Sequence, residues 1–190
     1  MRKRDKVLRT LPLRKALDYL SNYSEYEMEN GRLEEYIKEA KRIEEDSLYS
    51  SKSHYNASAF WHKLYFWIGI PNSILAAIAS ASAFEGSTTL AGSLAVIVAS
   101  IAAASTFLNP ESRSSIHKNS AGEYHALRNR ARIFVNITSK RNLDEEDLHR
   151  HFDELASQRE NLNAISPQIP ESAFHKARKG IESGEATHKD

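Results

Sequence analysis

Charges are spread through most of this chain but vanish after Lys63. Leu64 to Phe84 carries none, Glu85 stands alone, and Gly86 to Pro110 again carries none. As a helix rising about 1.5 Å per residue, the first run reaches roughly 31 Å, against a hydrocarbon core of about 30 Å. The second run is equally long enough, and Glu85, Gly86, Ser87, Thr88 and Thr89 form a short polar turn between the two. The pattern predicts an all-α membrane protein: a two-helix transmembrane hairpin over 64–110, with spans 64–84 and 90–108 and long cytoplasmic helical arms.

The arms carry helical periodicity of a different kind. From Arg32 to Trp67 there is neither proline nor glycine, and Glu34, Lys38, Lys41 and Arg42 alternate with Leu33, Tyr36, Ile37, Ala40 and Ile43. That is an amphipathic helix over 32–63 leading into the membrane. Gly31 is expected to break it from an arm over 1–31, in which a helical piece, Lys15 to Tyr23, places Ala16, Leu17 and Leu20 on one face. After the second span, Asn109 as cap, Pro110 at the first helical position and Glu111 in the first turn start a new helix, so the membrane helix should kink or end there. The new helix runs to about Thr138 and shows Tyr124, Leu127, Ala131 and Phe134 at heptad spacing, with Arg128, Arg130 and Arg132 on its other faces. Asp144 then caps a helix with acids in its first turn and a staple of Leu143 with Leu148. Its stripe of Leu148, Phe152, Leu155 and Leu162 can pack against the Tyr124 to Phe134 stripe as an antiparallel pair. Ser166 to Pro170 breaks the pattern, a short helix over Ser172 to Glu182 completes the region 111–183, and 184–190 is a polar tail.

Within the spans, residues placed about 100° apart divide into faces. Leu90, Leu94, Ile97, Ile101 and Leu108 fall on one side of the second span, and Ala91, Gly92, Ala95, Ala99 and Ala103 on another. The first span sets Asn72, Ser73, Ala76 and Ser80 against Ile74, Leu75 and Ile78. Small residues let helices approach closely while bulky aliphatics face lipid. Packing within one hairpin accounts for such residues, but one hairpin satisfies only part of these surfaces, and oligomers would use the rest. In an assembly Asn72, Ser73, Ser80, Ser93 and Ser100 are the polar groups available to line a water path. Before the spans, Tyr55, Phe60, Trp61, Tyr65, Phe66 and Trp67 crowd together with His62 and Lys63. Trp61, Lys63, Tyr65 and Trp67 form an interfacial belt of the kind found at headgroup level.

Composition refines this picture in three ways. A mean hydropathy of −0.55 with 27% charged residues describes a soluble protein, because the arms outnumber the hairpin and hide it. Lys plus Arg at 26 against Asp plus Glu at 25 gives no overall bias, yet the local distribution is uneven. A basic leader of Arg2, Lys3, Arg4, Lys6, Arg9, Arg14 and Lys15 precedes an acidic block from Glu25 to Asp46. The leader is short and has no interleaved aromatics, so anionic lipid suits it better than nucleic acid, and no direct nucleic-acid partner is expected. Lys52, Lys63, Arg113, Lys118, Arg128 and Arg130 flank the open end of the hairpin and the turn has no Lys or Arg, which places both termini in the cytoplasm. There is no cysteine and no apolar segment in the first 30 residues, excluding disulfides and arguing against a cleaved secretory signal.

Catalytic chemistry finds no footing. The chain has no Walker loop, no Rossmann glycine fingerprint, no Gly-x-Ser-x-Gly and no His-Glu-x-x-His, so neither an enzyme nor a cofactor site is expected. His149 and His151 are two apart and do not share a helix face, which makes them a solvated pair rather than metal ligands. His117 and His125 are eight apart and can share a face, but no carboxylates join them, leaving packing or surface roles. No charged residue lies inside either span, which argues against a proton relay, a voltage sensor or a strongly charge-selective filter.

The aromatic lead-in, the two-span hairpin, Phe107-Leu108-Asn109-Pro110 at its exit, then His117, Tyr124 and Leu127, the capped helix and the Pro167 to Pro170 break together resemble the SLATT family. The name stands for SMODS- and SLOG-associating two-transmembrane effector. The resemblance covers about Arg32 to Ser183, and Ser166 to Pro170 most resembles the branch found next to reverse transcriptases. It implies an effector of bacterial antiviral defence in the inner membrane, which assembles into a homo-oligomeric pore on a signal of infection and kills or arrests the cell. It also implies a separate sensor encoded nearby, either a reverse transcriptase or a nucleotide-second-messenger system. The basic leader is not part of the family pattern, and no ligand-binding domain is attached, so the signal would arrive in trans or through the arms. The competing class is a membrane anchor or scaffold whose arms recruit a cytoplasmic partner.

Overall fold

The structure, a computed structural model, describes residues 12–141 and 143–186, with the backbone alone for residue 13 and for 16–30. The leader up to residue 11 and the side chains of Ala16, Leu17 and Leu20 lie outside the described residues. All regular elements among the described residues are helical: α1 Leu13–Phe84, α2 Thr88–Leu108, α3 Pro110–Asn136, a 3-10 turn Thr138–Lys140, α4 Glu145–Ile165 and α5 Glu171–Glu182. Two of them carry stretches long and apolar enough to cross a membrane.

The first correction to the sequence expectation is Gly31, which does not break the helix. α1 runs through it for 72 residues, about 108 Å at the usual rise. One helical glycine costs about 1 kcal/mol, which a long cooperative helix tolerates. α1 also contains Pro71. Its missing N–H leaves the Trp67 carbonyl without an intrahelical donor, a defect that membrane helices accommodate more readily than soluble ones.

α1 turns back into α2 through a glycine-terminated cap. Gly86 takes a φ of 81°, its N–H donates to Ala83 O at 3.2 Å, and Ser87 N–H donates to Ser82 O at 2.9 Å. These crossed bonds satisfy the last carbonyls of α1 and reverse the chain. α3 then continues away from the hairpin and packs antiparallel along the middle of α1, from Trp61 back to Ala40, the most extensive contact in the fold. α4 returns alongside both, with Tyr36 to His149 and Asp46 to Arg159 marking its parallel register on α1. Phe152 touches Tyr36 and Phe134, at ring-centre distances of 5.1 and 6.3 Å. The Tyr124 to Phe134 and Leu148 to Leu162 stripes therefore do not simply close on each other. They close around α1, whose Ala40 and Ile43 join Leu127, Ala131, Phe134, Leu155 and Leu162 in one core. α5 lies on the membrane-side half of this arm bundle, burying Ala173, Ala177 and Gly180.

Candidate functional site: the hairpin and the seam beside it

The rotation of α2 against α1 differs from the division expected of the second span. Ala91, Leu94, Val98, Ile101 and Ser105 are its less exposed positions, and they repeat at helical spacing toward α1. On α1 the matching positions are Leu64, Ile68, Asn72, Leu75, Ala76, Ala79 and Ser82. Leu75, Leu94 and Ile101, expected to face lipid, lie inside the hairpin instead, because the three-residue turn sets the rotation of the second helix and periodicity alone does not. Gly92, Ser93, Ala95, Ala99, Ser100 and Ala103 are exposed, and α2 buries no residue at all. The centre of the small-residue stripe lies about 120° around α2 from the face that meets α1. On α1, Asn72 and Ala76 turn partly toward α2 while Ser73 and Ser80 point outward.

These outward hydroxyls are satisfied within their own helices. Ser73 donates to Gly69 O, Ser80 to Ala76 O and Ser100 to Val96 O at 2.8 to 2.9 Å, and Ser93 donates to Leu90 O at 3.0 Å. Bonds of this kind let serine sit against lipid or against a close-packed helix without a water partner. Asn72 is the exception, since its Oδ1 is buried with no hydrogen-bond partner.

Two helices meet at Asn109. Its backbone is left-handed, φ 42°, the one positive φ outside glycine among the described residues. Its N–H ends α2 on Ser105 O, while its Oδ1 accepts from Ser112 N–H at 3.4 Å to begin α3, with Pro110 buried at the first helical position. Asparagine tolerates the left-handed region better than most residues and caps well, so one residue performs both tasks. Of the belt residues, Lys63, Tyr65 and Trp67 are exposed, Trp67 by 76%. Trp61 is half-buried under the Arg113 guanidinium, whose carbon lies 5.0 Å from the ring centre.

Next to the hairpin, the α1–α3 interface is polar where a leucine zipper would be expected. Ser47, Ser51, His54 and Ser58 follow one another at steps of four, three and four on α1, and all are buried. They face Ser114, His117, Ala121 and Tyr124 of α3. Ser51 donates to Ala121 O at 2.9 Å, Ser114 donates to Ser58 O at 3.0 Å, and the Ser58 and Ser114 hydroxyls lie 3.2 Å apart. At the centre, His54 Nδ1 and His117 Nδ1 are 2.9 Å apart, and Tyr124 stacks on His54 with its hydroxyl donating to Asn163 Oδ1. A bond between two ring nitrogens needs a hydrogen on one and a bare lone pair on the other, so the pair cannot carry both charges at once without losing this bond. Burial, with His117 adding to it, pushes His54 down to about 4; burial and the Arg113 charge lower His117. Small residues with directed bonds set close approach and a single register for the two helices that enter and leave the hairpin.

Sequence reasoning treated His117 as a packing or surface residue and did not single out His54 or the serines. The signal was present as small polar residues at core spacing, 47, 51, 54 and 58, but a search for aliphatic stripes passes over it. His125 is exposed and does not join His117. His149 meets the Tyr36 hydroxyl at 3.2 Å and His151 lies 3.9 Å from Glu154. Among the described residues no group of three or more His, Cys, Asp or Glu gathers to hold a metal.

No curated protein and no solved structure matches the chain. A known family does, described as SMODS and SLOG-associating 2TM effector domain family 4, over residues 33–190, which takes in both spans, the seam and the whole arm bundle beyond them. With two helices able to cross a membrane and a match over most of its length, the chain belongs to this family of two-transmembrane effectors.

Proposed function

We propose that this protein is a membrane effector of bacterial antiviral defence that oligomerises through the outward faces of its hairpin into a pore and disrupts the inner membrane when activated. The single observation that carries the reading is the exposed stripe of Gly92, Ala95, Ala99 and Ala103, which the hairpin itself does not use. Such a surface allows a second helix to approach closely, and in lipid that close packing drives association. The lack of any charged residue inside the spans makes the pore weakly selective. Lys52, Lys63, Arg113 and Lys118 at the open end favour an orientation with both termini in the cytoplasm. There the arms are available to a sensor encoded nearby, a reverse transcriptase or a nucleotide-second-messenger system as the family resemblance implies. Because α1 is continuous from arm to span, a partner that shifts the arm bundle also shifts the first span.

The test is leakage from dye-loaded liposomes containing the full chain, with and without its genomic partner. Activated protein should release dye. Ala95→Leu with Ala99→Leu should insert normally yet neither assemble nor leak. Correct insertion without leakage under every activating condition would overturn the pore and leave the hairpin a tether for the arms.

A further inference from the structure

A cavity of about 620 Å³ opens where the hairpin meets the arm bundle, between Trp61, the first turns of α3 and the Pro167–Pro170 segment that joins α4 to α5. The sequence treated that segment only as a break. The fold brings it back to the exit of the spans, since Asn109, the residue that ends α2, lines the same cavity. The charged donor there is Arg113. Its Nε donates to Leu108 O at 2.9 Å, the last residue of α2, and its guanidinium carbon stands 5.0 Å over the Trp61 ring. These two contacts aim the group, and among the described residues its terminal nitrogens make no hydrogen bond and no carboxylate pairs with it. Glu171, the carboxylate among the described lining residues, is 88% exposed and lies 3.3 Å from His175 Nε2 on its own helix. Arg159, Arg178 and Arg150, by contrast, pair with Asp46, Glu182 and Asp147, whereas Arg130 meets only Gln158 and lies away from this cavity. The apolar part of the lining includes Ile116, 48% exposed, and half-buried Ile169 beside Pro167 and Pro170.

We propose that this cavity seats the phosphate of a phospholipid headgroup, paired to the Arg113 guanidinium, with Ile116 and Ile169 resting among the neighbouring lipids. With Nε engaged, the edge formed by the two terminal nitrogens remains free and can meet a phosphate bidentately. Its position one turn beyond the end of a membrane span is headgroup level, where Trp and Arg commonly anchor. Free phosphate shares the chemistry, but it gives the two isoleucines no partner, whereas a lipid covers both the charge and the rim. The inference needs only that the hairpin lies in a membrane and is independent of pore formation.

The experiment is native mass spectrometry of the full chain released from nanodiscs of phosphatidylcholine and phosphatidylglycerol in equal amounts. Wild type should retain lipid, and Arg113→Gln about tenfold less, the scale of one charge-assisted pair. Arg113→Lys should fall between them, and Arg130→Gln, at the far end of the bundle, should match wild type. Ile169→Asn keeps the charge, wets the rim and should also lower retention, which tests the site should Arg113→Gln fail to show native helicity. Equal retention by folded Arg113→Gln, or by Ile169→Asn, would overturn the proposal. So would displacement of the retained lipid by inorganic phosphate alone, which would make the site one for free phosphate.

Discussion

Acidification should unlock the arm bundle at its polar seam. An unfolded histidine takes up a proton near 6.5, whereas folded His54 resists until about 4 because the charged form would be buried, with His117 close by. Between those values the unfolded chain binds the extra proton, so stability is intact above about 6.5 and falls as the pH drops toward 4. At about 1.4 kcal/mol per unit, roughly 2 kcal/mol is lost by pH 5 and roughly 3 kcal/mol by pH 4 from His54 alone, with His117 adding in the same direction. The assay is denaturant unfolding of the detergent-solubilised full chain, followed by far-UV circular dichroism at pH 7, 6 and 5. Carboxylates titrate lower and contribute to every variant alike. The comparison is therefore with His54→Phe combined with His117→Phe, which removes both titrating rings and should flatten the dependence over this window. Parallel curves for wild type and the double variant would refute the reasoning, since the neutral pair would then have no energetic consequence.

Two further outcomes follow from the same structure. Asn109→Ala should destabilise by about 2 kcal/mol, combining the left-handed penalty with the lost cap, while Asn109→Gly should recover the backbone part; unfolding midpoints of the two variants separate the contributions. Leu127→Ala, at a side chain with 0% exposure in the centre of the three-helix core, should cost about 2 to 5 kcal/mol by the same measurement, well above any exposed arm substitution.

Much of the architecture was legible without coordinates. The two spans follow from charge-free length, the α2–α3 junction from Asn109 with Pro110, and the start of α4 from Asp144, whose Oδ1 accepts from Asp147 N–H at 2.8 Å. These are local features, decided by residues within a turn of one another. The break expected at Gly31 failed because a glycine penalty is small against the cooperativity of a long helix. The outward direction of Leu94 and Ile101 failed because periodicity describes a helix's faces but not which one meets a neighbour.

Membrane residence, the capped junctions at Asn109 and Asp144 and the lack of charge in the spans were thus determined by the sequence alone, since hydrophobic length and capping chemistry act over short stretches of chain. Only the tertiary structure decided that α1 is the common partner of α3, α4 and α5, and that His54 meets His117 across 63 intervening steps of sequence. It also decided that the Pro167–Pro170 segment returns to Arg113, and that the small stripe of α2 is left outward. Each of these depends on the rotation and register of one helix against another, which are set by the turn between them and by side chains far apart in the chain.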